Sequence, residues 1–121
     1  MAKYVDGFVI PIKKTKLKAY KKMATLGAKV WMDHGALSYF ECVGDDFKGI
    51  WNSSFPKMCK LKANETAIFA FIVYKSKADR NKINAKVHKD PRMLKYAEKM
   101  EMPFDMKRFA AGGFKTLVTG K

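Results

Sequence analysis

Apolar, β-favouring residues dominate from Tyr4 to Ile12, the pattern of a first strand, and Pro11 falls at its end, where a missing ladder donor is tolerated. Leu17, Tyr20, Ala24, Gly27, Ala28 and Trp31 recur at helical spacing, with Lys14, Lys18, Lys22 and Lys29 on the opposite face. Thr15 suits the N-cap of this helix, and Gly35 the left-handed position that ends it. Leu37 to Val43 reads as a second strand, with Leu37, Tyr39 and Val43 on one face and Phe40 and Cys42 on the other. From Phe47 to Asn64 no period holds, and Ser54-Phe55-Pro56 predicts a single helical turn there. Glu65 to Tyr74 is apolar throughout its middle, the pattern of a central strand buried on both faces. Ser76 and Asp79 form a Ser-x-x-Asp cap for a helix that carries Ile83 and Val87 inward and ends near Asp90-Pro91. A further helical piece runs from Pro91 to about Met100, before Pro103. The last strand is Phe109 to Val118, where Gly112-Gly113 signals a bulge or a close backbone approach.

The order strand, helix, strand, strand, helix, strand predicts an α+β, ferredoxin-like βαββαβ domain spanning residues 1–121, its helices on one face of a four-stranded antiparallel sheet. Phe69, Phe71 and Val73 then point to one side of the third strand and Ile68, Ala70, Ile72 and Tyr74 to the other, so helices on one side leave an apolar surface on the other. An apolar face left open in this way calls for a cover. A twofold homodimer with the two sheets facing each other supplies one and encloses a barrel, so a dimeric α+β barrel is expected.

Composition narrows the class. With 48% hydrophobic and 13% aromatic residues in 121, the chain has the material for one core, which excludes wholesale disorder and coiled coil. The longest apolar stretch, Ala67 to Tyr74, is far shorter than the ~20 residues of a membrane span, and Met1 to Pro11 has no signal-peptide core. A soluble cytoplasmic protein with no membrane partner is the expectation. The net charge of +14 attracts polyanions, yet all but Arg80, Arg92 and Arg108 of the twenty-five cations are Lys, the composition of a solvated surface more than of a base-reading one. Cys42 and Cys59 are too few for a disulfide framework and are expected as thiols. Together with His34 and His88 they match no zinc spacing, so neither metal nor cofactor is expected.

Four residues are candidates for catalysis. Asp6 shares the face of Tyr4, Phe8 and Ile10 in an apolar strand, where an inward carboxylate can act as a base; an ion pair or an edge position accounts for it equally well. Glu41 keeps register with Leu37, Tyr39 and Val43 and either projects into the same interior or meets water. His34, like His88, falls at a helix C-terminus, where the dipole alone accounts for it. Cys42 is a nucleophile only with a base beside it, and otherwise packs as a small hydrophobe. For ligand binding, Asp105 and Arg108 suit an anion site or gate at the barrel mouth, or a plain salt bridge. Phe47, Trp51 and Phe55 in the long loop either close over an apolar ligand or pack on a partner. Met93, Met100, Met102 and Met106 are expected as core filler.

Several runs are shared with a known group: Tyr4-Val5-Asp6-Gly7-Phe8-Val9, His34-Gly35-Ala36-Leu37, Glu41-Cys42-Val43-Gly44-Asp45-Asp46, Ser54-Phe55-Pro56, Asp90-Pro91-Arg92, Met102-Pro103-Phe104-Asp105-Met106-Lys107-Arg108 and Gly112-Gly113-Phe114-Lys115. In these the chain resembles the YbaA-like family of small bacterial proteins of unknown function over nearly its whole length. The resemblance implies a dimeric α+β barrel and carries over no catalytic residue. Ala70-Phe71 and Ala111 stand where the family pattern has Ser-Trp and Tyr. By fold analogy alone, the expected function is binding of a small, partly apolar molecule in the barrel cavity, with cofactor-free acid–base or oxygen chemistry. The alternatives are a nucleic-acid binder using Lys14, Lys18, Lys22 and Lys29, and a structural dimer without a pocket.

Overall fold

In a computed structural model, which describes residues 2–49, 53–99 and 101–120, the four expected strands form one antiparallel sheet in the order β2-β3-β1-β4. β1 is Tyr4–Lys13, β2 Ser38–Val43, β3 Glu65–Tyr74 and β4 Ala110–Lys115. β1 and β3 pair along their full lengths, from Tyr4 opposite Tyr74 to Lys13 opposite Glu65, and so form the spine of the sheet. β2 and β4 are its edges.

Three helices cover one face: α1 (Leu17–Asp33), α3 (Lys77–Lys89) and α4 (Pro91–Lys99). The helical turn expected at Ser54 is α2 (Phe55–Cys59), capped by the Ser54 side chain. Ser76 caps α3 through the Asp79 N–H at 3.1 Å, and Gly35 takes a φ of +110°, which strains any residue with a Cβ. Thr15 does not cap α1. Residues Lys14–Lys16 wind as a single 3₁₀ turn that leads the chain from β1 into the helix, and no side chain caps its start.

The core lies between helices and sheet in two clusters. Ile10, Ile12, Tyr20, Ala24, Ile68 and Ala70 fill one end, and Val30, Ala36, Ile72, Tyr74, Ile83 and Val87 the other. Each fully buried aliphatic side chain contributes about 1.5–3 kcal/mol. β3 is buried along its helix side, and on the other face only Ala67 among its described residues is buried, so the strand is not covered on both faces as expected. On its other face Phe69 is half exposed, and its ring continues a row with Phe71 (5.8 Å) and Phe40 (5.0 Å, stacked). Phe114 and Cys42 stand exposed on the same face, and Val5 lies there in register with Phe114.

β4 ends three residues before the expected Val118, and the Gly pair makes no bulge, because its register with β1 runs unbroken from Val9–Ala110 to Tyr4–Lys115. The close approach is real instead. A Cβ on Gly113 would run into the Tyr4 ring, and one on Gly7, opposite Gly112, would lie 3.2 Å from the Phe114 ring.

Candidate functional site

Tyr39 and Glu41 are two apart on β2, so their side chains leave the sheet on the same face, which the register shares with Ile72 and Ala70 beneath α1. Tyr20, on the buried stripe of α1, comes down to meet them. Its hydroxyl donates to Glu41 Oε1 at 2.7 Å, and the Tyr39 hydroxyl donates to Oε2 at 2.7 Å. Both carboxylate oxygens are thus held by neutral phenols. Burial, more than the neighbouring Glu41 charge, pushes the Tyr20 phenol well above its usual pKa, and burial followed by the Glu41 charge does the same to Tyr39. Each therefore remains a protonated donor. Gly27 makes room for the group: a Cβ there would sit 2.9 Å from the Tyr39 hydroxyl. A glycine inside α1, about 1 kcal/mol worse than alanine in helix propensity, is explained by that contact.

Two cavities meet at this triad and share Tyr20, Ala24, Tyr39 and Glu41 in their walls. The outer, about 480 Å³, opens between α1 and β2 past Leu17, Ala28 and Val43, with Lys21 on its lining. The inner, about 190 Å³, is lined by aromatic and apolar side chains that include Trp31, Phe104, Phe109 and Met93. Both lie on the helix side of the sheet. The expected barrel interior is on the other face.

Asp6 does share the helix-side layer with Glu41, but it lines neither cavity. It is buried, lies 3.5 Å from Arg80 Nη1, and accepts from Asn84 Nδ2 at 3.4 Å. The same Asn84 accepts from Trp31 at 2.9 Å and Tyr74 at 3.2 Å, so Asp6 anchors a network that ties α3 to the sheet. His34 follows the last turn of α1 and hydrogen-bonds Asp90 at 2.8 Å. Arg92 grips Asp90 with two donors and Asp33 with a third, which locks the end of α1 to the α3–α4 junction. Hydrogen bonds from Arg92 first, then from His34, hold the Asp90 carboxyl far below its usual range. Cys42 faces the open side of the sheet, and neither thiol is in a disulfide.

Asp105 and Arg108 are not paired with each other. Asp105 accepts the Lys107 N–H and caps the 3₁₀ turn Met106–Arg108. Arg108 reaches away to Glu65 Oε2 at 2.6 Å and to the carbonyls of Cys59 and Lys60 behind α2. Phe47 and Phe55 pair at 6.3 Å over a recess of about 220 Å³ on the open face, beside Val9 and Phe69; Trp51 lies outside the described residues. Met93 packs inside as expected. Met102 and Met106 are exposed and so are not core filler, and Met100 lies outside the described residues.

Sequence spacing places Tyr20 and Tyr39 on the apolar faces of their elements. The two-residue step from Tyr39 to Glu41 puts those two side chains on one face, while the Tyr20 partnership spans twenty-one positions and is not legible from spacing.

No helix among the described residues is long and apolar enough to cross a membrane. Comparison with known proteins places the chain among relatives of the same shape. It is 39% identical over 116 residues to the uncharacterized protein YbaA of Escherichia coli strain K12, covering 96% of this chain and 97% of that one, and equally so to YbaA of Shigella flexneri. Among solved structures it superposes on a nipsnap family protein of unknown function from Agrobacterium tumefaciens, with a TM-score of 0.60, 19% identity and coverage of 95% and 88% of the two chains. It also superposes on a dimeric ferredoxin-like protein from an uncultured marine organism, with a TM-score of 0.56, 14% identity and coverage of 99% and 100%. Residues 3–106 match the family model described as protein of unknown function (DUF1428), and the chain belongs to that family.

Proposed function

We propose that the protein binds a small, partly apolar molecule in the paired cavities around Glu41, and that it does so as a homodimer joined through the open face of its sheet. The observation that carries the binding reading is the placement of Glu41. A carboxylate held, among the described residues, by two neutral hydroxyls, at the meeting point of an open groove and an apolar inner cavity, offers polar recognition at the edge of an apolar site. The half-exposed row Phe40, Phe71 and Phe69 supports the dimer, as does the dimeric ferredoxin-like neighbour of the same fold. Two free thiols fit a reducing, cytoplasmic compartment.

The test is a titration of the ¹⁵N-labelled protein with 2-naphthol, a neutral aromatic ring bearing one hydroxyl. Amide shifts that gather at Tyr20, Ala24, Tyr39 and Glu41 support the reading, and shifts scattered over the surface or absent reject it. Light scattering of the same sample should give twice the chain mass, falling to one chain in Phe71→Arg; a wild-type monomer at micromolar concentration rejects the dimer.

A second reading has an observation of its own. A groove between α1 and α4 is lined by Lys22, Arg92, Lys95, Tyr96 and Lys99, four cations and a ring that suit a polyanion such as single-stranded nucleic acid. Oligonucleotide affinity falling steeply with salt, and weakened by Lys95→Ala and Lys99→Ala together, would favour it.

A further inference from the structure

The arrangement of donors and acceptor at Glu41 bears on chemistry as well as binding. Each phenol has one proton and gives it to the carboxylate, so in the empty site donors and acceptor satisfy one another. A ligand carbonyl entering from the outer groove competes for one of those protons. If it takes the Tyr39 hydrogen bond, it gains a donor, and the same exchange frees a lone pair on Glu41 Oε2 a few ångströms from the carbon next to that carbonyl. One substitution of partners thus creates a base and an oxyanion donor together, between α1 and β2 where the two cavities meet. The lining of the groove sets the rest of the ligand. Leu17, Ala24, Ala28 and Val43 suit an apolar body, while exposed Lys21 on the same wall and the +14 field of the molecule favour an anionic end.

We propose that the Glu41 site catalyses the keto–enol tautomerisation of enolisable 2-oxo acids with an apolar side chain, with Glu41 as the base, Tyr39 and Tyr20 as donors to the developing oxyanion, and Lys21 as the partner of the substrate carboxylate. The proposal rests on the binding reading above and extends it to a substrate class. Glu41 takes a proton from C3 of the substrate. The C–H electron pair becomes the C2–C3 double bond, and the carbonyl π pair moves onto the oxygen at C2. That oxygen receives the phenolic proton while Glu41 returns the abstracted proton to the phenol. The net result is one proton moved from carbon to oxygen, with the carboxylate and both phenols regenerated. No oxidant, reductant or metal takes part in this balance.

The experiment uses phenylpyruvate as probe and follows ketonisation of its enol by ultraviolet absorbance, together with incorporation of solvent deuterium at C3. Wild-type protein should accelerate both at least tenfold over buffer. Glu41→Gln should lose on the order of 100-fold in kcat, and Tyr39→Phe roughly tenfold or more. Lys21→Ala, on an exposed side chain that takes no part in the fold, should raise KM with kcat nearly unchanged. Phenylpyruvate that shifts the cavity amides without being turned over would overturn this proposal and leave the binding reading standing. Equal activity in Glu41→Gln would also overturn it, and so would phenylpyruvate that neither shifts the amides nor reacts, in which case the naphthol titration decides the binding reading separately.

Discussion

Asp6 and Glu41 leave neighbouring parts of the same sheet toward the same helical layer, yet their carboxylates are met in opposite ways. Asp6 faces a guanidinium at 3.5 Å and an amide N–H, so its charge is matched and its surroundings are packed shut. Glu41 faces two phenols and no cation in its ion-pair shell among the described residues, and its surroundings are hollow. A buried charge with a cationic partner belongs to the architecture, because removing either member strands the other. A charge satisfied by neutral donors beside a cavity can change partners at small cost. Inwardness and acidity, which the two residues share, do not separate these roles; the identity of the partner and the presence of empty volume do.

The comparison can be broken most directly at Asp6. Asp6→Asn leaves Arg80 stacked at 4.9 Å on the Tyr4 ring without its counter-charge, with its buried Nε still lacking a partner. Stability measured by urea unfolding should fall by about 2–3 kcal/mol, with affinity for 2-naphthol unchanged. A loss of affinity without a loss of stability would exchange the roles assigned here. Glu41→Gln is the reciprocal case. The amide keeps one acceptor for the phenols and faces the other with its NH₂, so stability should fall by only about 1 kcal/mol while naphthol binding weakens tenfold or more.

Glu65 sharpens the comparison with a third carboxylate. The Arg108 hydrogen bond, helped by the Lys62 N–H, lowers its pKa from 4.5 to about 2. A depressed folded-state pKa gives stability that is present above the unfolded value and lost as pH falls through the folded one, so this contribution should drain away between about pH 4.5 and pH 2. In Glu65→Gln that part of the acid slope should be missing, and an unchanged slope would remove Arg108 from the account. Gly27→Ala should have the smallest effect on stability, under about 1 kcal/mol in either direction, since improved helix propensity opposes the push on the Tyr39 hydroxyl. Its signature is a selective loss of naphthol affinity; retained affinity would show that the Tyr39–Glu41 contact is dispensable.

What could be read in advance follows from the range of each interaction. An unbroken apolar run placed β3 at Glu65–Tyr74, strand alternation divided its faces, and a local cap placed α3 after Ser76, because those signals lie within a few residues of one another. The same alternation put Asp6 on the face of Phe8 and Glu41 on the face of Tyr39. It could not say that this face is the one under α1, because covering is decided by where the helices return. The Arg108 partner was misread for the same reason. Asp105 is three residues away, but Glu65, forty-three residues distant, is where the guanidinium arrives once β3 and the segment before β4 come together. The register of Gly113 against Asp6, beside the Tyr4 ring, likewise explains a Gly pair that spacing alone left between a bulge and a close approach.

The three arginines are all engaged with acids of the same chain: Arg80 with Asp6, Arg92 with Asp33 and Asp90, and Arg108 with Glu65. Among the described residues a single lysine, Lys29, is so engaged, at 3.8 Å from Asp33. Positive charge here is divided between a small fixed stock that holds elements together and a large one that holds nothing. A descendant of this chain can drift from lysine to glutamine at most surface positions, and shed much of its charge, without losing one of the arginine contacts. Of all the properties described, net charge is the one evolution can retune most freely to the company the protein keeps.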